Sequence, residues 1–386
     1  MHTNHTLHTL MREATRLTQT GQLNAATQAL QRALGAGITG SRAPATPTPQ
    51  GADPSLILDG YVFETGERAT APPDGETQQQ DPGDAHAPSD QGAFSSGSHT
   101  HAGITRRYKL YAPPRAAERA TALVVMLHGC TQNPDDFAAG TGMNVIAQEQ
   151  GFMVLYPEQG REGNPQSCWN WFKHNHQKRG GGEPALIASL TQSLVQQHGI
   201  DPHRVFVAGL SAGGAMAAIL GASYPDIFTA VGVHSGLPSG SASNAAEALM
   251  VMKSGGSSGP VSAPVASKPI PTIVFHGDKD PTVHARNGEK VLAAALGDRG
   301  ERSPTGTATT HASTVAQGVS QRGRRFTRTS YCNEAGTPLA EHWVLHGAGH
   351  AWSGGSTNGS YTDSSGPDAS REMMRFFFAQ HQRQAH

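Results

Sequence analysis

The sequence predicts an α/β protein: a mostly parallel sheet covered by helices on both faces, preceded by a helical hairpin and a disordered linker. Three observations carry this expectation. From residue 106 onward, short apolar runs alternate with helix-like segments. The runs are continuously apolar, as in Leu123-Val-Val-Met-Leu127, rather than alternating in and out, which is the pattern of strands buried on both faces. A chain of 386 residues has room for one such core with appendages, whereas a second full domain would be cramped.

Taken in order, residues 5–34 read as helix. Leu7, Leu10, Ala14 and Leu17 recur at spacings of three and four, Gly21 interrupts, and Leu23, Ala26, Leu30 and Leu34 resume the pattern. One helix-turn-helix unit cannot bury its own apolar face, so the extension at 1–36 is expected to dock, most simply on its own chain. Residues 37–103 change character. Between Ser41 and Thr100 there are nine acids and two arginines among Pro-rich runs, and no lysine precedes Lys109. Such a segment buries too little apolar surface to offset its ordering entropy and is read as a disordered linker. The catalytic-domain candidate is 104–386. In it, 106–111, 123–127, 152–156, 205–208, 229–233, 272–275 and 343–345 read as strands. Residues 144–149, 184–198, 213–223, 287–296 and 370–380 read as helices. The Ser/Gly/Pro-rich stretch 252–268 and the Thr/Ser/Gly/Arg-rich stretch 298–323 read as flexible loops between core elements.

Composition excludes several functions. Lys+Arg (29) balances Asp+Glu (30), so no polyanion-binding surface is implied and nucleic acid is not an expected partner. The apolar runs fall far short of the ~20 residues that span a bilayer. The first ten residues, Met1-His-Thr-Asn-His-Thr-Leu-His-Thr-Leu10, have neither the basic nor the apolar region of a signal peptide, so a cytoplasmic protein is expected. Three cysteines make no disulfide scaffold. No Cys/His/Asp spacing resembles a zinc site, and neither a metal nor a cofactor is expected.

The strongest local signal is Gly209-Leu-Ser-Ala-Gly213. A buried strand precedes it and an Ala-rich helix follows, the context that turns G-x-S-x-G into the nucleophile elbow of an α/β-hydrolase fold. Small residues suit so tight a turn, and the helix N-terminus behind Ser211 favours developing negative charge. A serine hydroxyl needs a base, and the base an orienting acid, in the chain order Ser, Asp or Glu, His. The strand at 272–275 delivers Asp278 and Asp280. Asp280 is the candidate acid, being further out and able to turn back, while Asp278 is read as shaping the turn. His350 lies among small residues in the loop after the strand at 343–345 and is the candidate base, with His346 read as structural. The oxyanion hole should use the N–H of Ala212, next to the nucleophile, and that of Cys130, after the His128-Gly129 pair that ends an early strand. If a disulfide exists, Cys130–Cys168 is the pair expected, with two buried reduced thiols as the alternative. Trp169 and Trp352 adjoin site motifs and are the candidates for lining a cleft, with core aromatics as the alternative.

Five segments occur together in one order: Leu127-His-Gly-Cys-Thr-Gln132, Cys168-Trp-Asn-Trp171, Gly209-Leu-Ser-Ala-Gly-Gly-Ala-Met216, His276-Gly-Asp-Lys-Asp-Pro-Thr-Val283 and Gly347-Ala-Gly-His-Ala-Trp-Ser-Gly-Gly355. From about Arg106 to the C-terminus the chain resembles the poly(3-hydroxybutyrate) depolymerase family of esterases. The resemblance implies Ser211, Asp280 and His350 as triad, Cys130 and Ala212 as oxyanion hole, and hydrolysis of short-chain polyhydroxyalkanoate esters. The family also includes feruloyl and acetylxylan esterases, which are the alternative. Its secreted depolymerases carry a signal peptide, a linker and a C-terminal substrate-binding domain, whereas here no signal is visible and the sequence ends at His386, just after the last expected helix. The expectation is therefore the intracellular type acting on amorphous polymer, with the storage-granule surface as candidate partner and secretion as the alternative. A non-catalytic granule-surface scaffold is the rival from another class, disfavoured by the intact triad.

Overall fold

The computed structural model describes residues 92–114, 122–256, 270–297, 312–334 and 336–381. The expected helical hairpin and most of the linker lie outside the described residues. The strands are β1 (Ala93–His101), β2 (Ile104–Ala112), β3 (Leu123–Leu127), β4 (Met153–Pro157), β5 (Val205–Leu210), β6 (Ala230–His234), β7 (Thr272–Gly277), β8 (Ala312–Val319), β9 (Arg325–Cys332), β10 (Pro338–Leu345), β11 (Trp352–Ser353) and β12 (Thr362–Asp363). The α-helices are α1 (Pro134–Thr141), α2 (Met143–Gln150), α3 (Gly182–His198), α4 (Ala212–Ser223), α5 (Ala245–Ser254), α6 (Arg286–Ala295) and α7 (Ala369–His381).

Among the described residues, ten strands form one sheet in the order β1-β2-β4-β3-β5-β6-β7-β10-β9-β8. The stretch β4-β3-β5-β6-β7-β10 is parallel, and an antiparallel pair completes each edge. Successive residues of the central strands feed opposite faces. Leu123, Val125, Leu127, Val205 and Val207 join the core beneath α3 and α4, whereas Val124, Met126, Phe206 and Ala208 join the one beneath α1, α2 and α7. Burial on both faces is why these strands read as unbroken apolar runs. No helix among the described residues is long and apolar enough to cross a membrane.

Two expectations are corrected. The segment assigned to the linker up to 103 contains β1, paired with β2 from Ala93↔Ala112 to His101↔Ile104. The segment 298–323 contains β8, paired with β9 from Ala312↔Cys332 to Val319↔Arg325. Both are edge strands, β8 exposed along almost its whole length. An edge strand is held by its backbone ladder and needs no apolar face, so composition does not reveal it. Helices α1 and α5, and strand β9, also went unread. The residues described in the stretch 252–268 complete α5 and its Gly255 cap.

Candidate active site

The register across the sheet sets the site. Leu210 of β5, His234 of β6, Phe275 of β7 and Trp343 of β10 lie side by side; β5 and β6 end in that row, and β7 and β10 run two residues further. The loops beyond them carry Ser211, Asp280 and His350 on one edge, where ligands of open α/β sheets bind.

Ser211 stands between β5 and α4 at φ 57° and ψ −118°, a region that costs a non-glycine residue on the order of 1–3 kcal/mol. Neighbours hold it there. Its N–H donates to the His234 carbonyl (2.9 Å) and its own carbonyl accepts from the Ala215 N–H (2.9 Å). The turn closes because Gly209 and Gly213 have no side chain: a Cβ on Gly213 would collide with the Leu127 carbonyl, and one on Gly209 with the Gly213 backbone. Ala212 opens α4, so its N–H is among the helix's unpaired N-terminal donors. A Cβ built on Gly129 would stand 3.7 Å from the Ser211 Cβ, which makes the loop after β3 the serine's neighbour. Cys130, in that loop, is disulfide-bonded to Cys168.

His350 Nδ1 lies 2.7 Å from Asp280 Oδ2. The Asp280 side chain is fully buried, and its other oxygen accepts the Thr282 (2.9 Å) and Val283 (2.8 Å) N–H groups. Burial alone would raise the pKa of this carboxyl. Hydrogen bonds from His276 and His350, the charge of His350 and the Val283 N–H outweigh it and hold the group well below the usual carboxylate range. Asp278 does different work: it accepts the Gly347 N–H (2.7 Å) and pairs with His346 Nδ1 (3.0 Å). His346 Nε2 in turn lies 2.8 Å from Thr327 Oγ1. Asp278 and His346 thus bind the loop after β7 to the loop after β10.

The expectation that Trp169 and Trp352 line a cleft is corrected, since each is only 1% exposed. The Trp169 N–H donates to the His128 carbonyl (3.1 Å), bracing the loop that carries Cys130. The Trp352 N–H donates to Ser370 Oγ (3.0 Å), and its ring packs edge-on to Phe137 and stacks on His234. Their place beside site motifs reflects support from beneath.

Two buried groups at the site were missed. His234 ends β6 between the strands that deliver Ser211 and Asp280, and a histidine at the end of a central strand was the available signal. Glu183, in the first turn of α3, gathers the Asn170 N–H (2.8 Å), Asn170 Nδ2 (2.6 Å) and Gln159 Nε2 (2.6 Å) behind the Cys168 loop. Burial pushes this carboxyl up, and the hydrogen bonds and charge of His176, with Asn170, bring it below its ordinary value.

Comparison with known proteins shows the family. The chain is 31% identical over 238 residues to poly(3-hydroxyalkanoate) depolymerase C of Paucimonas lemoignei, covering 59% of this chain and 54% of that protein. It is 35% identical over 135 residues to a poly(3-hydroxybutyrate) depolymerase of Ralstonia pickettii, covering 33% of this chain and 28% of that one. Over 136 residues it is 32% identical to a probable acetylxylan esterase A of Aspergillus fumigatus, covering 34% of each. The chain thus spans about half or less of the length of these relatives. The acetyl xylan esterase structure from Aspergillus awamori superposes with a TM-score of 0.56 at 18% identity, covering 74% of this chain and 99% of that one, which is a likeness of fold. The model of the family described as esterase PHB depolymerase matches residues 106–316. That is more than half of the chain, and it takes in the elbow and the Asp280 loop, so the chain belongs to that family.

Proposed function

We propose that the protein is a serine esterase that hydrolyses short-chain polyhydroxyalkanoate esters through an acyl-enzyme. The carrying observation is the Asp280–His350 pair at 2.7 Å on the sheet edge where Ser211 is held strained at the strand-to-helix turn. In this reading Ser211 Oγ attacks the ester carbonyl while His350 Nε2 takes its proton. Asp280 keeps the other proton on Nδ1 and stabilises the imidazolium. The Cys130 and Ala212 N–H groups hold the oxyanion. The His350 proton then passes to the leaving alcohol, and water, activated by the same base, releases the acid.

A fluorophosphonate probe and a short p-nitrophenyl ester test the chemistry. The protein should be labelled and active, and Ser211→Ala should abolish labelling and cut turnover by at least about 10³-fold. An unlabelled, inactive protein overturns the reading and leaves a scaffold role.

A second substrate is favoured by a specific observation: relatives named acetylxylan esterases match at 32% identity. Side-by-side product analysis on amorphous poly(3-hydroxybutyrate) and acetylated xylan separates the two. Release of acetate with no hydroxybutyrate oligomers would replace the polyester by the carbohydrate ester. The Cys130–Cys168 bond supports an oxidising compartment, and so the secreted alternative over the cytoplasmic one.

A further inference from the structure

We infer that His234 is a positioning residue that fixes the loop carrying His350 against the turn carrying Ser211. This rests on the reading of Ser211 and His350 as nucleophile and base.

His234 is the last residue of β6, fully buried, and level with Leu210 on one side and Phe275 on the other. Its two polar ends serve two different loops. The backbone carbonyl accepts the Ser211 N–H at 2.9 Å and so holds the strained turn. The side-chain Nε2 accepts the Ser353 N–H at 3.0 Å, in β11, a short step along the chain from His350. A backbone N–H only donates, so Nε2 must be the bare nitrogen and the ring proton sits on Nδ1, which faces Ser235 Oγ at 3.2 Å. The ring is neutral in this role. Burial, with the nearby charges of His276 and His350, pulls its pKa down to about 3 despite Asp280.

Packing fixes the ring as well. It lies between Phe275 (centroids 5.8 Å, 11° between planes) and Trp352 (5.1 Å, 26°). Trp352 and Ser353 are anchored in turn by Ser370 Oγ and the Pro367 carbonyl. The segment from His350 to Ser353 is too short to absorb a shift at one end without moving the other. The Trp352 and Gly354 N–H groups are spent on the Tyr361 (2.7 Å) and Asp363 (2.8 Å) carbonyls, so the Ser353–His234 bond is what ties this strand to the end of β6, and releasing it lets the short segment back to His350 shift relative to Ser211. A misplacement of about 1 Å in a reacting pair is enough to cost about 10²-fold in rate.

The test compares His234→Gln with His234→Asn. The Gln amide oxygen reaches where Nε2 stands and keeps an acceptor for Ser353, whereas the Asn oxygen falls at the Nδ1 position and cannot. Wild type is first assayed on a p-nitrophenyl ester and with a fluorophosphonate. A wild type that fails both sinks the esterase reading before any substitution at 234 is made. Given an active wild type, His234→Asn should lower kcat by about 10² with KM little changed, and slow labelling of Ser211 by a similar factor. His234→Gln should stay within a few-fold of wild type. Hydrogen exchange of the Ser353 amide should be faster in the Asn variant than in the Gln variant. If the Asn variant does not accumulate folded, His234→Leu, an apolar side chain without an acceptor for Ser353, reads the same contrast. Equal kcat in the Gln and Asn variants, a loss carried by KM alone, or failure of both acceptor-less variants to fold would overturn the inference.

Discussion

Replacing Asp280 by asparagine removes one charge and almost no volume, and the structure dictates how the amide must sit. Oδ1 of Asp280 accepts two backbone N–H groups, from Thr282 and Val283. The amide NH2 cannot occupy that place without facing two donors, so the amide oxygen is forced there and the NH2 group points at His350 Nδ1, 2.7 Å from the present Oδ2. Nδ1 must then accept, the imidazole proton moves to Nε2, and the nitrogen meant to take the serine proton is already protonated. A wrong tautomer of this kind costs about 10⁴-fold in kcat, the magnitude measured for the same change in a chymotrypsin-type triad, which is about 5.5 kcal/mol in the barrier. Asp278→Asn is the control. Its carboxylate also accepts one backbone N–H, from Gly347, and also faces a histidine. That pair is about one-third exposed, and an exposed pair contributes only about 0–1 kcal/mol. His346 can exchange tautomers because Thr327 Oγ1 both donates and accepts. Turnover of a soluble ester by Asp278→Asn should therefore stay within about tenfold of wild type. The assay is kcat for both variants on one p-nitrophenyl ester, with thermal melting to confirm folding. Equal losses, or the greater loss in Asp278→Asn, would refute the assignment of the acid.

The remaining predictions follow from burial and pairing. Denatured without reductant, the chain should titrate one thiol, Cys332, because Cys130 and Cys168 are joined; three titratable thiols would refute the bond. Burial lowers the pKa of His128 to about 4, and burial with like charge lowers those of His234 to about 3 and His342 to about 4. Below the ordinary histidine value of about 6.5 the unfolded chain binds protons that the native state refuses, so stability should fall as pH drops from about 6.5 towards these values. A urea midpoint flat from pH 7 to 4.5 would contradict this. Asp280, with its pKa held down, adds stability that is complete above about pH 4 and lost further into acid, so the stability gap between wild type and Asp280→Asn should shrink below about pH 4. Deleting residues 1–91 leaves every described element intact and should preserve soluble-ester activity. Deleting to 103 removes β1, bares the edge of β2 and should lower the melting temperature; equal melting of the two truncated chains would show that β1 contributes nothing.

The parts of the fold that a sequence displays are those whose side chains must satisfy the core. β3, β5 and β7 are apolar on both faces and were readable almost to the residue. The same logic fails at the edges. β1 is Ala-Phe-Ser-Ser-Gly-Ser-His-Thr-His, whose one large apolar side chain, Phe94, packs on Tyr156 at 5.7 Å between ring centroids. Its Gly97 is needed because a Cβ there would strike the Tyr108 ring. β8 shows only Val315 and Val319 as large apolar residues, both exposed. Helix α5 was legible in principle: Asn244 accepts the Glu247 N–H, Glu247 reaches back to the Ser243 N–H, and Gly255 closes the far end at φ 72°. That is a capping signature at both ends, masked because the stretch beyond it reads as loop.

At the candidate site, order along the chain picked out residues that the fold carries on one sheet edge, whereas adjacency in the chain misled. Ser211, Asp280 and His350 are the candidates because a hydrolase needs three roles in a fixed chain order, and the loops after β5, β7 and β10 carry all three on one sheet edge. Trp169 and Trp352 were drawn to the cleft because they neighbour the Cys130–Cys168 loops and His350. In a loop laid over a sheet, a side chain that does not face the cleft faces the core. A large indole there packs beneath the loop and spends its N–H on a carbonyl or hydroxyl, as both tryptophans do. His234 escaped for the opposite reason: in sequence it lies far from every reacting group, and only the pairing of β6 between β5 and β7 brings it to Ser211 on one side and the His350 loop on the other. At the end of such an intervening strand a buried polar side chain persists only if its polar atoms find partners. In this chain β6, between the strands that lead to Ser211 and Asp280, ends on a histidine, and its two hydrogen-bonding ends tie the Ser211 turn to the segment that follows His350.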